Sequence, residues 1–298
     1  CLGFQFTLFS FGFPDKRLLD AVGNAKGLID MWEICDTTEE LPDVVDVVRA
    51  TVKAAGMSLY LSRIRTREDQ ESAGGKYHHM IVHGFTRDDN KQIKQIAGLA
   101  GVDGLVFRIE GATSPWEAAK RALAACSSHG LKASLHIRMT KGSPGSQQTD
   151  DDWVANRVAE AIATACAFED VHVYADTFAD VDRGYYRRHG VVNRFYNPRP
   201  GFAVARHLTA AFAEVGSFSP ENEGAQVSLV GEGGQHFELV HETSPKASDN
   251  STGPGRLIDL YTGECIPAVC NAGGDFDPPP TSPLCLWKVG GEVLRTIE

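Results

Sequence analysis

No run of apolar residues in this chain approaches the roughly 18 that a membrane span needs. The first residues, Cys1-Leu-Gly-Phe-Gln-Phe-Thr-Leu-Phe-Ser-Phe-Gly-Phe-Pro14, contain no basic residue and no initiating Met. They read as a barrel strand rather than a signal peptide, and the chain is expected to be a fragment or a processed product. Positive charge is scarce, with 29 Lys and Arg against 39 Asp and Glu and a net charge of −10. A basic stripe is missing, which argues against nucleic acid as a partner. Neither a GxGxxG nor a Walker A run occurs, so nucleotide-binding versions of an open α/β sheet lose weight. Seven cysteines occur without CxxC spacing. An odd count, with Cys126 and Cys166 inside predicted helices, points to reduced, buried thiols and a cytoplasmic setting. Cys265, Cys270 and Cys285 are read the same way, and His78, His79 and His83 lack the spacing of a zinc site on a helix. The expectation is therefore no metal, no other cofactor and no membrane partner.

What is present is a regular alternation of two periods. Strand-like runs are predicted at 4–11, 28–34, 57–64, 102–109, 131–139 and 171–178, with a short further strand at 80–83. Helical stripes fall between them, at 15–24, 41–55, 90–100, 115–127 and 150–168, and again at 202–212. The 41–55 stripe is clear, with Val44, Val45, Val48 and Val52 on one side and Gly56 as its stop. Strand–helix alternation with apolar strands predicts a parallel sheet, and the expected fold is an α/β, TIM-type (β/α) barrel over residues 1–216, with a doubly wound sheet as runner-up. The pattern changes after Gly216. Short strands at 225–230, 237–240, 256–261 and 284–289, separated by Gly, Pro and Ser, predict a β-sandwich-like antiparallel domain over residues 217–298.

Several stretches resemble glycoside hydrolases of the retaining, two-glutamate (β/α)8 clan. The run Gly190-Val-Val-Asn-Arg-Phe-Tyr-Asn-Pro-Arg-Pro200 resembles the entry to the last helix of those barrels. Trp32-Glu33-Ile34-Cys35-Asp36-Thr37 resembles their fourth strand, and Asp151-Asp152-Trp153 the opening of the helix after their seventh. Leu257-Ile-Asp-Leu-Tyr-Thr-Gly263 resembles a strand of the β-sandwich that follows such barrels. That register implies that this chain supplies six of eight barrel strands, the first two coming from an upstream segment or a second chain. It also implies a small carbohydrate as substrate. The catalytic glutamates do not carry over. Thr37 stands where the resemblance places the acid/base, and Leu135-His-Ile-Arg-Met-Thr-Lys141 has no carboxylate for the nucleophile.

A substitute carboxylate pair is therefore expected at the carboxyl ends of the strands, where parallel α/β folds keep their chemistry. The catalytic candidates are Asp36, Glu110 and Asp176. Asp36 also suits a helix cap, and Asp176 a salt bridge with Arg183 or Arg187. Alternation puts Arg108 and Glu110 on one face, where an ion pair competes with catalysis. Candidate substrate contacts are Trp32, Glu33, His136, Arg138, Asp180, Arg183 and Tyr185. Two alternatives stand beside hydrolysis: a metal-dependent sugar isomerase or epimerase barrel, and a non-catalytic sugar-binding barrel. A lactonase is a variant of the first reading that accounts for the absent glutamates.

Overall fold

The computed structural model describes residues 6–64, 84–85, 89–110, 113–139, 151–175, 178–180, 190–213, 215–221, 226–242, 246–248 and 251–290, without the side chains of Glu110 and Arg138. The chain divides into two compact units. The first draws on Cys1–Ile109, Ala118–His136 and Asp170–Tyr174, the second on Glu110–Glu117, Ile137–Glu169 and Ala175–Glu298.

Six strands, β1 (Thr7–Phe11), β2 (Met31–Asp36), β3 (Ser58–Arg63), β4 (Gly104–Glu110), β5 (Lys132–Arg138) and β6 (Val171–Ala175), form one sheet in the order of the sequence. Pairing is parallel, with Met31 opposite Ser58 and Tyr60 opposite Gly104. Helices α1 (Lys16–Asn24), α2 (Leu41–Ala55), α3 (Asn90–Ile96), α4 (Pro115–Ser127) and α5 (Asp151–Ala167) separate the strands along the chain. Sequential parallel strands with helical crossovers make a partial TIM-type (β/α) barrel. Residues Met31 to Cys35 of β2 are all buried, as in a parallel strand covered on both faces. Helix α2 carries Pro42 in its first turn and buries the predicted valines. It ends at Gly56, whose φ of 71° a side chain would strain.

Among the described residues the parallel sheet has six strands, the number the expected register gives, and the predicted strand at 80–83 lies outside the described residues. Residues 225–230, which would have closed the barrel had that register been wrong, instead contribute Ser228–Gly231 to the second unit's sheet. Among the described residues the barrel sheet ends at β1 and β6, and on β1 Phe9 and Phe11 are 36% and 51% exposed.

In the second unit, α5 packs on α6 (Pro200–Phe212), where Gly201 lies against Val154 and Val158. Seven strands follow: β7 (Phe218–Pro220), β8 (Ser228–Gly231), β9 (His236–His241), β10 (Gly253–Asp259), β11 (Cys265–Cys270), β12 (Phe276–Asp277) and β13 (Leu284–Val289). The expected sandwich is, among the described residues, one antiparallel sheet in the order β12-β11-β10-β13-β9-β8-β7. Its core gathers Val240, Leu257, Ala268, Phe276 and the fully buried Trp287, whose indole donates to Ser251 O at 2.8 Å. Phe212, Phe218 and Phe237 form an aromatic trio between α6 and the sheet. The change from helix to strand falls where the sequence places it, since the last α-helix among the described residues ends at Phe212. Compactness, however, groups α5 and α6 with the sheet. No helix among the described residues is long and apolar enough to cross a membrane. The six described cysteines are free thiols.

Candidate functional site in the barrel lumen

Side-chain alternation on the strands sorts the first unit into two faces. Register pairs Phe9 with Glu33, Glu33 with Tyr60, and Tyr60 with Gly104. One face therefore carries Phe9, Met31, Glu33, Cys35, Tyr60, Ser62, Val106 and Arg108. His136, His172 and Tyr174 join them, because Tyr60 meets His172 at 5.9 Å and His136 meets Tyr174 at 5.2 Å. In a flat sheet β3 and β6 would lie about 14 Å apart, three strand spacings. The sheet curls, and this face is the lumen.

The lumen is layered. Met31, Tyr60 and Val106 form a buried cluster with Tyr174 against it. Gly104 lets Tyr60 lie flat there, since a Cβ would come within 2.4 Å of the ring. One residue pair further toward the carboxyl ends, the side chains turn polar. Glu33 is 1% exposed, and its Oε1 accepts from Ser62 Oγ at 2.7 Å and from Arg108 Nη2 at 3.3 Å. Its second oxygen, Oε2, and the Nε of Arg108 are both buried without a hydrogen-bond partner. Burial raises the Glu33 pKa, and Arg108 and the Ser62 hydrogen bond offset that only in part. Cys35, next on the same face, has its thiol pushed up to about 12 by burial, which leaves it un-ionised and poorly nucleophilic. Tyr174 is likewise pushed up to about 12. The Arg108 guanidinium lies 5.8 Å from the Phe9 ring centroid.

The other predicted site residues distribute as follows. Trp32 is corrected. Its ring is fully buried on the outer face and its indole donates to Ser10 Oγ at 2.9 Å, so it offers no stacking surface. Asp36 pairs in register with Arg63, on the side of Trp32 and away from Glu33. Its Oδ1 accepts from Thr37 N at 2.7 Å, and α2 starts only at Leu41 with Glu40 as its cap residue, so Asp36 caps no helix. Glu110 and Arg138 end β4 and β5, with side chains outside the description. Asp176, Arg183 and Tyr185 lie outside the described residues, as do His78, His79 and His83.

Asp180 serves the second unit's framework. It is 8% exposed, accepts from Gly190 N at 3.0 Å, and meets Arg199 Nη2 at 2.6 Å. Arg199 also reaches Asp151 at 3.1 Å, tying the segment before α6 to the start of α5. Asn193 accepts from the N–H groups of Phe195 and Asn197, holding the intervening turn. The Gly190–Pro200 run is thus a structural clasp. Gly190 is required by close approach, because a Cβ would lie 2.6 Å from Asp180 N and Val192 O.

The ion pair expected between Arg108 and Glu110 forms, among described side chains, between Arg108 and Glu33. Ser62 was not singled out by the sequence. A Ser on a strand has no local signal, and only the register Cys35–Ser62 brings it beside Glu33. No group of His, Cys, Asp and Glu suited to a metal occurs among the described residues.

No protein-family model and no curated protein matches the sequence. Solved structures do resemble it. A glucosidase from Croceicoccus marinus aligns with a TM-score of 0.51 at 12% identity, over 88% of this chain and 62% of its own. A family 39 glycoside hydrolase from Bacteroides cellulosilyticus WH2 aligns with a TM-score of 0.51 at 15% identity, over 92% of this chain and 60% of its own. The chain thus spans about three fifths of these proteins. At such identities the likeness is one of fold, a (β/α) barrel followed by a β domain.

Proposed function

We propose that the protein is a carbohydrate-active hydrolase whose site is the polar layer of the barrel lumen, centred on Glu33, Arg108 and Ser62. The observation that carries this reading is Glu33 itself, a buried carboxyl with one oxygen left without a hydrogen-bond partner. Burying such a group costs free energy that packing alone does not return, and carboxyls with raised pKa values concentrate at working sites. The two fold neighbours, a glucosidase and a glycoside hydrolase, support the same class. Phe9 beside Arg108 gives a sugar ring an aromatic surface. Glu110 and Asp176, at or just beyond the carboxyl ends of β4 and β6 in sequence, are the candidates for a second carboxyl, and His136 and Arg138 for substrate contacts. An upstream segment or second chain adding strands at the β1 edge is part of this proposal.

The test is a panel of nitrophenyl glycosides and sugar lactones with the parent protein and Glu33→Leu. Turnover that falls by about 10²-fold or more in the variant, the scale of acid–base and electrostatic contributions, supports the reading. Sugar binding by the parent protein without any turnover would favour the non-catalytic barrel instead.

A further inference from the structure

We infer, building on the proposed hydrolase site, that the bond it is shaped to break is the acyl–oxygen bond of a sugar lactone, with Glu33 and Arg108 as hydrogen-bond donors to the carbonyl oxygen. The argument begins with what the pair leaves unmet. Both neighbours of Glu33 donate to the same oxygen, Oε1, and nothing donates to Oε2. An ionised carboxylate would bury a bare charged oxygen at Oε2, whereas a neutral acid carries its proton there. Arg108 has the same imbalance. Its Nη2 serves Glu33, while its buried Nε has hydrogen to give and no acceptor. Glu33 Oε2 and Arg108 Nε, on adjacent parts of one face, are thus left able to serve an acceptor.

Burial acts in the same direction, raising the Glu33 pKa and favouring the protonated form. A carbonyl oxygen that gains negative charge in the transition state asks for converging donors, and a neighbouring guanidinium strengthens the effect.

The step balances as a hydrolysis. Water attacks the lactone carbonyl carbon, and the carbonyl electron pair moves onto its oxygen, held by Glu33 Oε2–H and Arg108 Nε–H. A second water takes the proton from the attacking water. The tetrahedral adduct then collapses, the bond from carbonyl carbon to ring oxygen breaks, and that proton passes through water to the departing ring oxygen. The product is the open hydroxy acid, with no oxidant or reductant involved.

The experiment follows hydrolysis of galactono-1,4-lactone by pH-stat, with nitrophenyl glycosides in parallel, for the parent protein, Glu33→Leu, Glu33→Gln and Arg108→Met. Lactone hydrolysis above the spontaneous rate is expected, with Glu33→Leu and Arg108→Met each lowering it by about 10²-fold or more, the cost of removing one oxyanion donor. Glu33→Gln keeps a neutral donor at the same place, so it recovers at least about tenfold of the loss seen with Leu. A Gln variant as impaired as the Leu variant would assign Glu33 to proton transfer and overturn the inference. Glycosides turned over without lactones would also overturn it, while leaving the proposed hydrolase intact. Turnover of neither substrate would overturn both.

Discussion

Glu160 gives the structure a pH dependence that can be worked out in advance. It lies on α5, 6% exposed, with Oε1 accepting from Arg157 Nη2 at 2.5 Å and Oε2 without a partner. Arg157 also donates Nη1 to Thr113 O at 3.3 Å, so the guanidinium is shared. Burial pushes the Glu160 carboxyl up to about 7 from 4.5, more than Arg157 pulls it down. The native state therefore holds one more proton than the unfolded chain between about pH 4.5 and 7. Stability falls there by about 1.4 kcal/mol per pH unit, or about 3 kcal/mol in all. This contribution is fully present below the unfolded pKa and is lost as pH rises through the folded one. Glu160→Gln keeps an acceptor for Arg157 and removes the titration. Urea unfolding at pH 5, 6, 7 and 8 measures it for both proteins. Glu33 and Glu238 are raised in the same direction, so the difference between parent and variant isolates Glu160. The difference should shift by about 2–3 kcal/mol in favour of the variant from pH 5 to 8. Parallel pH profiles would refute the reasoning.

Two further outcomes follow from named contacts. Arg199→Met leaves Asp180, whose side chain is 3% exposed, as a buried charge without its cation. The expected cost is about 3 kcal/mol, read by urea unfolding, and Asp180→Asn in the same background should recover part of it. Gly104→Ala places a methyl 2.4 Å from the Tyr60 ring and 2.6 Å from Lys132 O. Overpacking of this kind costs about 1–3 kcal/mol, and thermal denaturation should show it, whereas Gly98→Ala, with open space around the Cβ, should not.

Most of the fold was legible because it rests on periodicity. The α2 stripe, its Gly56 stop and the apolar run of β2 each announce themselves locally. Strand β11 was not legible, because Pro267 sits inside it opposite Arg256 and reads as a break. The direction of Glu33 was ambiguous for a physical reason. In a strand buried on both faces, Trp32, Glu33 and Ile34 give no polar–apolar alternation to fix the phase. Only the register with Tyr60 and Ser62 turns Glu33 into the lumen and Trp32 out of it. The clasp around Arg199 resembled a family motif in sequence, yet what it does, neutralising Asp180 and Asp151, depends on contacts 19 and 48 residues away.

The central claim is that the Glu33–Arg108 pair is a working site and not a core ion pair. Arg108→Met tests it most directly, because Met keeps the length and apolar body of the side chain while removing the charge and both donors. Initial rates on the glycoside and lactone panel should fall by about 10²-fold or more, the scale of a lost electrostatic contact to the reacting group. Any fall in melting temperature should be smaller than for Arg199→Met, because the guanidinium meets Glu33 only at 3.3 Å and Met retains an apolar contact near the Phe9 ring. Full turnover with a sharply lowered melting temperature would contradict the claim and return the pair to the core.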